Sequence, residues 1–339
     1  MRDIYDPSGQ MTEPDGLFYQ EVARRHHTVQ LLGHGAISGS EVVLANSLHA
    51  GLEAPAPALD MIVPDRSAQI TDAIYARADK TVNHIAGIAE RHCTQVGDYV
   101  DSFPGGACDP MLLAVRSLAH IAHHDVWRRS GKPYTSHTEG VAAILDAAWN
   151  MSEQNPDDYD RLRLYKAIAY LHDAPEDTMD VGGEYLADPV IASPLVIGRL
   201  LMHYGMPEAK AHDAARATLL LNNGRGMTDK QPYRDYVVRG ARIGGFWFSM
   251  IKAGDLRHNS AIDAEDPARS ADPARVLARR VKYETCGNVL LAETDAYELT
   301  DGAQMIRAVL TVDERTMQRN FVDRLRPIKL EPGDLDLAA

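Results

Sequence analysis

The stretch Ala167-Ile168-Ala169-Tyr170-Leu171-His172-Asp173-Ala174-Pro175-Glu176-Asp177-Thr178 ends an apolar run on a His-Asp pair, and a Glu-Asp pair follows at once. Leu164, Ile168 and Leu171 recur at i, i+4 and i+7, the period of a core-facing helical stripe. The spacing predicts a helix over 160–173 with His172 at its end. Pro175 has no amide proton to give to a continuing helix, yet it suits the first turn of a new one. Glu176 and Asp177 then fall in that first turn, where the helix dipole favours carboxylates. Two side chains able to ligate a metal therefore sit beside two able to handle protons.

Outward from this point the pattern stays helical. Residues 67–99, 111–127, 137–150, 207–222, 240–260 and 273–297 carry apolar residues at three- to four-residue spacing, so the expected fold class is mainly α, a helical bundle with an additional N-terminal segment. Pro55, Pro57 and Pro64 mark 52–65 as a connection, and 102–110 (Ser-Phe-Pro-Gly-Gly-Ala-Cys-Asp-Pro) interrupts the helices. Gly33, Gly35 and Gly39 miss the GxGxxG spacing and read as a turn. These breaks divide the chain into an N-terminal extension of unknown role (1–110, partly helical), a main domain (111–300) and a C-terminal extension (301–339). The acidic tail from Lys329 is expected to fray.

Bulk composition narrows the function. With 35 basic and 48 acidic residues the net charge is −13, which argues against a general nucleic-acid-coating role. A small anionic ligand remains open if positive charge gathers in one cleft. No apolar run approaches the roughly 20 residues of a membrane span, and the N-terminus lacks a signal-peptide stretch. Cys93, Cys108 and Cys286 are scattered without CxxC spacing, pointing to a reducing compartment. The expectation is a cytoplasmic protein with no membrane partner.

A His-Asp dipeptide means little alone, and the chain has three, at 124–125, 172–173 and 212–213. Only the middle one has chemical surroundings. Upstream, Arg128-Arg129-Ser130-Gly131-Lys132-Pro133-Tyr134-Thr135-Ser136-His137 ends in a histidine that opens a helix. Downstream, Ile251-Lys252-Ala253-Gly254-Asp255-Leu256-Arg257-His258-Asn259 puts Asp255, His258 and Asn259 on one helical face. His137, His172, Asp173 and Asp255 offer two imidazoles and two carboxylates with positions left for water. That set suits one octahedral divalent ion such as Mn²⁺, not a closed cysteine-based zinc site. Glu176 or Asp177 would position a bound water or accept its proton. Arg128, Arg129, Lys132 and Lys252 supply the local positive charge. The bland alternatives are helix-start acids for Glu176 and Asp177, a salt bridge to Arg257 for Asp255, and a solvated face for Arg128 and Arg129. Phe246-Trp247-Phe248 reads as core anchoring for the helix that carries Asp255.

The order R-x-S-G-x-P-Y-x-x-H, L-H-D-x-x-E-D-T and K-x-x-D-x-x-H-N, over about residues 111–297, resembles the hydrolase domain of the RelA/SpoT family, including its stand-alone small alarmone hydrolases. The resemblance implies an all-α HD-type bundle and Mn²⁺-dependent removal of the 3′-pyrophosphate from guanosine tetra- and pentaphosphate. By matching position it implies that Arg128 stacks on the base, that Arg129 and Ser130 share its substrate-facing loop, that Asn259 holds the nucleotide and that His258 backs the site. Lys252, His258 and Asn259 thus join Arg128, Arg129 and Ser130 as expected substrate-side residues.

Two departures stand out: His137 and His172 are 35 residues apart, wider than usual for the family, and Ser260-Ala261-Ile262 replaces its polar residues. The adenosine equivalent, NADPH 2′-phosphate and deoxynucleoside triphosphates remain rival substrates. A non-catalytic nucleotide-sensing module is a further alternative, as is an interaction protein acting through residues 1–110. A toxic alarmone synthetase, opposite which the chain would act as antitoxin, and a second copy of the chain are the macromolecular partners left open.

Overall fold

Helix-forming periodicity carries through to the fold, which is mainly α. The computed structural model describes residues 64–96, 109–152, 159–177, 194–221, 232–264, 266–296, 300–320 and 328–335. Among them there is no strand, only an isolated antiparallel bridge between Trp127 and Pro133. The elements are α1 (Pro64–Val96), α2 (Pro110–Ala122), α3 (Thr135–Met151), α4 (Tyr159–Leu171), α5 (Ala174–Asp177), α6 (Pro194–His203), α7 (Glu208–Leu221), α8 (Tyr233–Arg257), α9 (Pro273–Ala296), α10 (Thr300–Thr311) and α11 (Glu314–Asn320). The glycine-rich 31–39 segment lies outside the described residues, as do 52–63 of the expected 52–65 connection and 102–108 of the expected 102–110 break, while Pro64 and Asp65 already belong to α1 and Pro110 opens α2. No described helix is long and apolar enough to cross a membrane.

Contacts divide the chain into two units: Met1–Ala122 with Leu171–Lys230 and Ile328–Ala339, and His123–Tyr170 with Gln231–Pro327. The stretch expected as a single 111–300 domain thus contributes to both.

In the first unit α1 packs on α2 and α6, and α6 on α7. Ile85, Ile88, Met111, Leu118, Leu195 and Leu200 are buried. Asp109 starts α2 by accepting the amide protons of Met111 (2.9 Å) and Leu112 (3.2 Å). The C-terminal tail is a correction to the expected fraying: Pro332–Leu335 forms a 3₁₀ turn against α1. Asp334 is buried there, paired with Arg91, and accepts the Glu331 amide proton at 2.8 Å.

In the second unit α8 packs on α3, α9 and α10. Its latter part is buried on every side, through Phe248, Met250, Ile251, Ala253 and Leu256. A helix buried all round has no solvated stripe, so its charged residues must find partners inside. Gly245 has φ 58° and ψ −137°, a left-handed conformation open to glycine, and there α8 turns back on itself. A straight helix would put Tyr236 about 24 Å from Lys252, yet the Lys252 ammonium is 5.1 Å from the Tyr236 ring centre. Phe248 lies in the core edge-on to Tyr236, and Phe246 packs edge-on to Tyr165.

Of the boundaries that depart from the sequence reading three bear on the site, while α6, α10 and α11 have no counterpart in that reading. Helix α2 stops at Ala122, not 127, because Asp125 takes a left-handed φ of 58° and the chain enters a hairpin. Helix α4 stops at Leu171, leaving His172 and Asp173 in a turn before α5. Helix α8 starts at Tyr233, seven residues earlier than expected, since Gly240, Gly244 and Gly245 dilute its apolar period.

Candidate functional site

The hairpin after α2 carries most of the basic loop. The Gly131 amide donates to the Arg128 carbonyl (2.9 Å), and the Arg128 amide to the Lys132 carbonyl (2.9 Å). Gly131 takes φ 80°, so this is a three-residue turn closed by a glycine bulge. Tyr134 donates its amide proton to Val126 (2.9 Å) and delivers the chain into α3. His137 thereby sits in the first turn of α3, its amide donating to the Tyr134 carbonyl at 2.8 Å.

Across from it, α8 presents Asp255. His137 Nε2 lies 3.1 Å from Asp255 Oδ1, and both side chains are buried. The second carboxylate oxygen is held by Lys252 Nζ at 2.7 Å. Lys252, only 5% exposed, lies over the rings of Tyr233 (5.4 Å) and Tyr236 (5.1 Å). Its aromatic flanks and carboxylate make burial of the ammonium tolerable. Burial pushes the Tyr233 phenol well above its ordinary range, so it stays neutral beside this pair.

The helix does not end cleanly after Asp255. His258–Ile262 forms a single π turn, closed by the Asp263 amide donating to the His258 carbonyl at 2.8 Å. Asn259 donates its amide to Asp255 Oδ1, as the four-residue spacing predicts, and its own oxygen accepts from Arg128 Nη2 at 2.6 Å. His258 Nδ1 meets His137 Nδ1 at 2.9 Å, with the rings edge-on. Burial, then the neighbouring charges of His137 and Arg128, hold the His258 imidazole well below the usual histidine range. It is neutral at pH 7.

The second unit therefore brings together His137, Asp255, Lys252, His258, Asn259, Arg128 and Ser130. Arg129 is exposed at the hairpin tip. Lys252, expected at the substrate, is turned inward onto Asp255, and His258 is buried behind His137. Arg257, the alternative salt-bridge partner for Asp255, instead donates to the Val312 carbonyl at 2.8 Å. His172 and Asp173 belong to the first unit, where His172 is buried with Nε2 3.0 Å from Asp173 Oδ2. Glu176 and Asp177 fall in the first-turn helix α5, as the Pro175 argument predicts; their side chains lie outside the described residues.

Sequence reasoning missed Asp263. Its buried carboxylate takes Arg128 Nε (2.6 Å), Lys132 Nζ (3.0 Å) and the Ser130 hydroxyl (3.3 Å). Nothing near Asp263 in sequence signals this, because its partners lie more than 130 residues upstream.

Within this unit His137 and Asp255 are two side chains able to ligate a metal, and they face each other. A neutral imidazole offers its Nε2 lone pair when its proton is on Nδ1, and His258 Nδ1 is placed to accept that proton's hydrogen bond. Lys252 takes the other oxygen of Asp255, so the one facing His137, Oδ1, is shared by His137 and the Asn259 amide. Comparison of the chain with protein-family models, curated proteins and solved structures gave no significant match.

Proposed function

We propose that this chain is a divalent-metal phosphohydrolase of the RelA/SpoT hydrolase type. The reaction is removal of the 3′-pyrophosphate from guanosine tetra- or pentaphosphate, or from the adenosine equivalent. The observation that carries the reading is the buried His137–Asp255 contact, backed by His258 and continued through Asn259 to Arg128. It gathers one imidazole, one carboxylate and a guanidinium from segments more than 100 residues apart, in the order of the family's motifs.

The family resemblance assigns a metal to His137, His172, Asp173 and Asp255; of these, His137 and Asp255 face each other within the second unit, and Mn²⁺ suits such a mixed nitrogen and oxygen set. Such an ion lowers the pKa of bound water and polarises a phosphoryl oxygen. The chain's own residues do the rest. Lys252 fixes the Asp255 carboxylate so that one oxygen faces His137. His258 orients the His137 ring. Glu176 and Asp177 supply carboxylates to position water and take its proton. Arg128, with Asn259 beside it, meets the nucleotide, a guanidinium plane being suited to stack on a purine. The scattered cysteines fit a cytoplasmic setting.

The test is turnover of a nucleotide panel with and without Mn²⁺, read for which phosphate leaves. Release of pyrophosphate from the 3′ position, lost on chelation, is expected. Release of phosphate from NADPH or of triphosphate from deoxynucleotides would replace the alarmone reading with another phosphohydrolase. Ligand binding without turnover would leave a sensing module.

A further inference from the structure

We propose that Asp263 sets how strongly this site takes a phosphate group, acting as a built-in anion on the cations of the 126–134 hairpin. This rests on the reading of that hairpin as the substrate-facing loop, and it assigns a specificity role to a residue outside the motifs.

Of the four polar side chains at the hairpin tip, three converge on one carboxylate. Arg128 Nε approaches Asp263 Oδ2 at 2.6 Å, Lys132 Nζ approaches Oδ1 at 3.0 Å, and the Ser130 hydroxyl donates to Oδ2 at 3.3 Å. These are the donors a phosphate would use, an ammonium, a guanidinium and a hydroxyl. Asp263 is fixed in place by the π turn, through the hydrogen bond that its backbone amide donates to the His258 carbonyl. Its carboxylate is 4% exposed, so it cannot swing away into water.

The partners differ in freedom. The Arg128 side chain is 13% exposed and also donates to Asn259, which pins it. Lys132 is 56% exposed and can leave Asp263 for an incoming anion at little cost. With two cations set against one carboxylate, this wall offers an arriving phosphate a net charge of only +1. A phosphate or pyrophosphate group therefore shares Arg128 with Asp263 and draws Lys132 and Ser130 away from it. The carboxylate weakens every anion, and it weakens a compact polyanion more than a singly charged one. Selectivity then passes to contacts that a free anion cannot make, those to the nucleoside.

The test uses the full chain in chelator with inorganic pyrophosphate as the probe. Asp263→Asn keeps the shape and removes the charge. It should bind pyrophosphate about tenfold more tightly at low salt, with a steeper loss of affinity as salt rises. Equal or weaker binding overturns the proposal. Should the variant not fold, the unsubstituted protein answers the question. Lysine methyl groups introduced by reductive ¹³C-methylation, with Lys132 assigned by Lys132→Arg, should show the Lys132 signal moving on pyrophosphate addition. A signal unmoved up to millimolar pyrophosphate refutes the displacement. Because chelator is present, this readout stands apart from hydrolysis. Tighter binding by Asp263→Asn in a chain that hydrolyses nothing would sink the hydrolase reading and keep this one. Alarmone turnover with no change in pyrophosphate affinity would do the reverse.

Discussion

Gly140 is the most economical place to probe the site without touching a charged group. It lies one turn along α3 from His137, facing the buried His258 ring. A Cβ built there would sit 2.2 Å from His258 Nε2 and 2.3 Å from Cδ2, against an ordinary contact of 3.4 Å or more. The overlap is therefore about 1.2 Å, and the ring has little room to retreat, being 3% exposed and packed against His137. Overpacking of this kind costs about 1–3 kcal/mol. Alanine in place of glycine inside a helix returns about 1 kcal/mol, so Gly140→Ala should destabilise the protein by up to about 2 kcal/mol. Gly87→Ala in α1 is the matched control, since nothing lies within 4 Å of its new Cβ; it should stabilise by about 0.5–1 kcal/mol. Urea unfolding of both variants gives the comparison. In parallel, Mn²⁺ titration of Gly140→Ala should show a 10- to 100-fold loss of affinity, the usual effect of disturbing a group that orients a metal ligand. A Gly140→Ala protein as stable as Gly87→Ala, with unchanged Mn²⁺ binding, would refute both the packing and the role given to His258.

Three further outcomes are expected. Glu176→Gln and Asp177→Asn should keep the metal by elemental analysis yet lose about 10²- to 10⁴-fold in turnover; wild-type rates in both would reduce the two acids to helix-start residues. Arg128→Ala should raise KM roughly 5- to 30-fold, from about 1–2 kcal/mol of stacked, charged contact, with metal content unchanged; an unaltered KM removes Arg128 from the substrate. Stability in chelator should depend on His258, whose folded pKa is depressed by burial and by His137 and Arg128. Above the unfolded value near 6.5 its contribution is intact. As pH falls below that, the unfolded chain takes up a proton that the folded chain refuses, so stability declines by up to about 1.4 kcal/mol per pH unit until the folded pKa is reached. Urea melts of wild type and His258→Asn at pH 7.5 and 5.5 check this, and an identical slope in the two proteins would contradict it.

The helical class was legible because an apolar stripe at helical spacing is a local property, as Leu164, Ile168 and Leu171 illustrate. The Asp255–Asn259 contact was legible for the same reason, one turn of helix separating the two. What local pattern could not give is direction. Lys252 has the composition of a substrate cation, but it is turned inward by Tyr233 and Tyr236 from the other arm of α8. That arm returns only because Gly245 reverses the chain, and a glycine after another glycine announces a break without saying which way the chain turns. Asp263 was invisible because its meaning depends on a hairpin more than 130 residues away. The tail was misread on composition alone, since an acidic segment looks solvated until one of its carboxylates, Asp334, meets Arg91.

The reversal at Gly245 also predicts an order of assembly. Tyr236 and Phe248 are 12 residues apart in sequence (248 − 236), and chain closures of that span take about 10–100 ns. His137 and Asp255 are 118 apart (255 − 137), a far more costly encounter for a disordered chain. The two arms of α8, with Lys252 already against its tyrosines, can therefore exist as a nascent helical hairpin before α3 arrives. Docking α3 onto that hairpin is then the event that creates the His137–Asp255 contact. A refolding protein should acquire helix signal and tyrosine burial in an early phase and Mn²⁺ affinity only in a later, slower one.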